Sequence, residues 1–72
     1  MKRSITIAGH RTSVSIEDDF WQGLGEIAAA RGVSVTALIA AIDEARGGAN
    51  LSSAIRSHVL AWYRDAARAS GS

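Results

Sequence analysis

Arg11, Ser13 and Ser15 recur at every second position, and Lys2 and Arg3 precede them with no carboxylate before Glu17. A run of cations and hydroxyls free of acids suits contact with a polyanion. Other chemistry finds little support. The histidines, His10 and His58, lie far apart and lack the spacing of metal ligands. Asp43 and Glu44 adjoin each other, but neighbours on a helix point about 100° apart, so they make no carboxylate pair. Serines, histidines and aspartates are present, yet no strained nucleophile turn accompanies them. An enzyme is the weakest reading, and no metal or cofactor is expected. Trp21, Trp62 and Tyr63 have the chemistry to stack on bases. Their helical spacing beside Phe20 and Val59 points instead to core or interface. Arg56 is expected to pair with an acid from another helix.

Short elements must position these side chains. Residues 11–16 alternate, with Thr12, Val14 and Ile16 on one face and Arg11, Ser13 and Ser15 on the other. That period of two is a half-buried strand. Residues 4–7 alternate as well, and Ala8-Gly9-His10 separates the two runs. Three helices should follow, over 18–31, 35–46 and 51–68. Glu17, Asp18 and Asp19 suit the positive end of the first. Phe20, Leu24, Ile27 and Ala28 give it one apolar stripe, and Gly32 suits its C-cap. Ser34 is a natural N-cap for the second helix, and Leu38, Ile39 and Ile42 form its buried face. Asn50 should cap the third, whose stripe is Leu51, Ile55, Val59 and Trp62. The final Ala-Ser-Gly-Ser should fray. The expected fold is mostly α with one short β-strand, in a single domain over 1–72 with an arm over 1–8.

Composition sets limits. A chain of 72 residues buries a small core, and with no cysteine it has no disulfide to reinforce it. A second copy is the remaining source of stability. The 47% hydrophobic content is enough to fold. No apolar run approaches the roughly 18 residues of a membrane span. The apolar residues after Lys2 and Arg3 are too few for a signal peptide. A cytoplasmic protein is expected. The net charge of +1 makes any polyanion binding a matter of local clustering.

An isolated strand leaves its edge groups unpaired. Residues 4–7 can fold back on 12–16 through Gly9, or strand 11–16 can pair with its own copy about a two-fold axis. The strand, the acid-started helix, the Gly32-Val33-Ser34 turn and the apolar second helix together resemble the ribbon-helix-helix DNA-binding family. The likeness extends over 9–64, in "GHRTSVSIEDDFW", "RGVS", "LIAAIDEAR" and "NLSSAIR", and is nearest to a bacterial subgroup with an additional C-terminal helix. It implies an intertwined homodimer whose intermolecular antiparallel β-ribbon enters the major groove of double-stranded DNA. It implies a repressor or autoregulator that performs no chemistry. By the same resemblance Arg11, Ser13 and Ser15 contact bases, Arg11 donating to guanine. Ser34 and the amides of Val35 and Thr36 hold phosphate at a helix N-terminus. Lys2 and Arg3 are either an arm on the DNA backbone or a solvated tail. Thr12, Val14, Ile16, Phe20, Leu24, Leu38 and Ile42 would form the dimer core. A protein partner would engage the third helix. Two rivals remain: a protein-interaction module that keeps the dimer without DNA binding, and a monomeric ββααα domain with 4–7 paired to 12–16.

Overall fold

The computed structural model describes residues 2–7 and 9–70. Two strands come first, β1 (Lys2–Ile7) and β2 (His10–Ser15), followed by α1 (Asp18–Arg31), α2 (Val35–Ala45) and α3 (Leu51–Ser70). The fold is mostly helical with a short antiparallel sheet and a third helix, as expected. The sheet differs in one respect. Residues 1–8, expected to be an arm, contain β1, which pairs with β2 inside the same chain.

The register explains this pairing. Ile7 faces His10 across a two-residue connection, and Lys2 faces Ser15 at the far end. Gly9 has φ of +81°, the left-handed conformation that so short a connection demands and glycine supplies without strain. Alternation along residues 4–7 marks a strand but cannot name its partner. The short connection makes the neighbouring strand the one nearest to hand. The fraying expected over the last four residues is not seen in the backbone of Ala69 and Ser70. Helix α3 continues to Ser70, and Gly71 and Ser72 lie outside the described residues.

Each helix ends for a local reason. Gly32 takes φ of +70° and closes α1, and Val33 N–H donates to Ala28 O at 3.0 Å. Ser34 caps α2 by accepting from Ala37 N at 3.0 Å. Asn50 caps α3 by accepting from Ser53 N at 3.2 Å. Arg46 donates to Asp43 and to the Ala49 carbonyl, tying the end of α2 to the linker before α3.

One core joins all five elements. Ile7, Val14 and Ile16 enter it from the hairpin side, Leu24 and Ile27 from α1, Leu38, Ile39 and Ile42 from α2, and Ile55 and Val59 from α3. Of the seven residues expected to form a dimer core, Val14, Ile16, Leu24, Leu38 and Ile42 are thus buried within one chain. Thr12 and Phe20 are half-buried. No single helix among the described residues is long and apolar enough to cross a membrane.

Candidate nucleic-acid interface

Burial alternates along both strands, and the register aligns the two alternations. Ile5, Ile7, Thr12 and Val14 turn toward the helices. Lys2, Ser4, Thr6, Arg11, Ser13 and Ser15 are all exposed. The pairs Lys2–Ser15, Ser4–Ser13 and Thr6–Arg11 lie side by side. The outer face of the hairpin is therefore polar throughout. It carries two cations and four hydroxyls, and no carboxylate.

Arg11, Ser13 and Ser15 share this face, as the period of two implied. Lys2 joins them. Arg3 does not, because it sits one position out of phase and turns inward. Its guanidinium carbon lies 4.4 Å from the centroid of the Trp21 ring, a cation–π contact. Its terminal nitrogen is 3.7 Å from Asp18 Oδ1. Its Nε is buried without a hydrogen-bond partner.

The start of α2 lies close to β1. A cleft of about 410 Å³ between them is lined by Lys2, Arg3, Ser4, Trp21, Val35 and Thr36. Ser34 uses its hydroxyl on Ala37 N and its carbonyl on Leu38 N. The amides of Val35 and Thr36, in the first helical turn, have no acceptor within the helix. Lys2, Arg3 and the first-turn residues Val35 and Thr36 thus line one concavity.

Helix α3 holds the far end of β2. Ser15 N donates to Ser52 Oγ at 3.1 Å, and Ser15 O accepts from an Arg56 terminal nitrogen at 2.7 Å. Arg56 Nε also donates to Glu17 Oε1 at 2.9 Å. Arg56 thus pairs with an acid as expected, though with Glu17, the residue just before α1, rather than with one on another helix. That hydrogen bond, followed by one from the backbone amide of Glu17, holds the Glu17 carboxyl below its usual range. The Glu17 carboxylate thus stays charged and already paired.

Sequence reasoning missed Ser4 and Thr6 on the polar face, and Ser52 on the β2 edge. The alternation of residues 4–7 was the available signal for the first two. Nothing local marked Ser52, which meets β2 only through the fold. Among the described residues no cluster of histidine and carboxylate side chains could hold a metal ion.

No curated protein and no solved structure matches the chain significantly. A family model described as a ribbon-helix-helix domain matches residues 1–63. Proteins with this domain typically bind DNA as regulators rather than act as enzymes, and they generally form dimers. The match spans both strands, α1, α2 and most of α3, so the chain belongs to the ribbon-helix-helix family.

Proposed function

We propose that this protein binds double-stranded DNA as a homodimer and acts as a transcriptional repressor or autoregulator in the bacterial cytoplasm. The observation that carries the reading is the exposed hairpin face, polar and free of carboxylates, in a chain of this family. A β-ribbon fits the major groove, about 12 Å wide. Arg11 donates to guanine O6 and N7, while Ser13 and Ser15 donate to or accept from base edges. Lys2, Ser34 and the amides of Val35 and Thr36 contact phosphate. Arg3 reaches phosphate only by leaving Trp21 and Asp18.

The test is a titration against duplex DNA over a salt ladder, wild type beside Arg11→Ala. The duplex carries the gene's own upstream region, with a scrambled control. The logarithm of the affinity should fall with that of salt, with a slope near −0.9 per neutralised phosphate. Arg11→Ala should cost about 1–3 kcal/mol and relax base preference. Absence of binding to either duplex at low salt would sink the reading. The interaction-module alternative would then lead. It draws on α3, where Leu60 is 54% and Tyr63 38% exposed.

A further inference from the structure

On α3, His58 follows the buried Ile55 by one turn and precedes the buried Val59. It is half-buried, and its Nε2 is enclosed without a hydrogen-bond partner. The residue lines a cavity of about 360 Å³ between the end of α2 and α3, with Ile42, Ala45, Arg46 and Ala54. No carboxylate lines that cavity. The charges that face His58 are positive. Arg31, at the end of α1, repels a positive imidazole. Arg46, just past α2, shares the cavity and keeps Asp43 for itself. Toward β2, Glu17 is already taken by Arg56. On α3 itself the next acid is Asp65, seven residues and about 10 Å along the helix. A proton on His58 would thus find no counter-ion, and no water at Nε2.

The same helix closes the sheet. Backbone N–H and C=O groups alternate sides along a strand. Ser15 directs both of its groups at α3, away from β1. By that alternation Arg11 and Ser13 direct theirs the same way. Ser52 and Arg56 thus cover the outer edge of β2 only at Ser15, through hydrogen bonds that lie open to solvent. Contacts of this kind yield before a packed core does. We propose that His58 is an acid-sensitive latch on α3: neutral, it lets the helix seat and close the β2 edge at Ser15; protonated, it lifts this part of the helix and frees that edge. Because Nε2 is enclosed, water reaches the new charge only when α3 moves. Ser52 and Arg56 lie within two turns of His58 on the same helix, so they move with it. The N–H and C=O of Ser15 then join those of Arg11 and Ser13 in one open row. Burial first, and Arg31 second, hold the pKa of His58 below 6.5, so the open form gains on the acid side of that value.

The test is an NMR titration of the isotope-labelled full chain from pH 8 to 5, above the range in which Glu17 takes up a proton. The Ser15 amide proton should move upfield as its hydrogen bond opens, with the same midpoint as the His58 ring protons. The amides of Leu24 and Ile27, in the core, should hold their positions. In His58→Gln the Ser15 shift should fall at least threefold. Arg31→Glu sets a carboxylate where the repelling cation stood, so it should raise the His58 midpoint and shrink the Ser15 shift. His10 stands at the other end of the hairpin, and His10→Gln should leave both unchanged. A Ser15 resonance that stays still while His58 titrates would overturn the proposal. So would a shift that survives His58→Gln, or a His58 ring that stays neutral down to pH 5. Movement of Leu24 and Ile27 together with Ser15 would mark general unfolding rather than a latch, and would overturn it too.

Discussion

Lys2 and Arg3 are adjacent cations with opposite surroundings. Lys2 stands on the polar face, and Arg3 lies against Trp21 and Asp18. One position of phase in a strand decides between them, since successive side chains take opposite faces. The sequence shows two positive charges. Their separation became legible only once residues 2–7 were known to form a strand. His58 illustrates the same limit. It was expected on a helix face, and it lies half-buried on α3 with its Nε2 buried and unpartnered. Burial, with the charge of Arg31 second, holds its pKa below the ordinary 6.5. The unfolded chain therefore takes up the proton first as the pH falls. Stability is full above about pH 6.5 and should decline as the pH drops through the depressed folded value. Thermal melts between pH 7.5 and 5 should show this decline, and His58→Gln should reduce it. An unchanged pH slope in the variant would assign the decline to other groups.

Among the elements, α1 carries two glycines with opposite roles. Both weaken a helix by about 1 kcal/mol relative to alanine when only intrinsic propensity counts. Gly25 has nothing within 4 Å of where a Cβ would stand. At Gly23 a Cβ would come within 2.8 Å of Val59 Cγ1 and 3.3 Å of a Tyr63 ring carbon. Gly23 is thus the place where α3 approaches α1 closely, and a β-branched valine offers little room to give. Gly25→Ala should stabilise by roughly 0.5–1 kcal/mol. Gly23→Ala should destabilise by about 1–3 kcal/mol through overpacking. Urea denaturation of the two variants checks this, and like effects from both would refute the close-approach account. The helices and their caps were legible because their signals are local: Gly32, Ser34 and Asn50 sit where chain geometry needs them. The close approach at Gly23 was not, because it depends on what crosses the helix.

For the molecule as a whole, the question is how many chains it takes to complete the core. Val14, Leu24 and Leu38 were expected to need a partner, yet all are at most 1% exposed within one chain. Strand β1 and helix α3 supply the difference, through Ile7, Ile55 and Val59. Alternation in 12–16 revealed which face turns inward but not whose atoms cover it. Covering atoms come from residues up to some forty positions away, and periodicity carries no such information. The proposed homodimer should sediment at twice the 7.5 kDa chain mass, with a melting midpoint that rises with protein concentration. A single-chain mass at every concentration would favour the monomeric ββααα arrangement, which the intrachain hairpin supports.

The hold of α3 on Ser15 also bears on solubility. An uncovered strand edge is a template on which further chains can add without limit, toward fibrils. Ser52 and Arg56 occupy the edge of β2 at its end and place a guanidinium beside it. Only a short length of that edge, around Arg11 and Ser13, stays open, and Arg11 puts a charge there too. At this edge, short, charged and partly stoppered, the hairpin resists the addition of further strands.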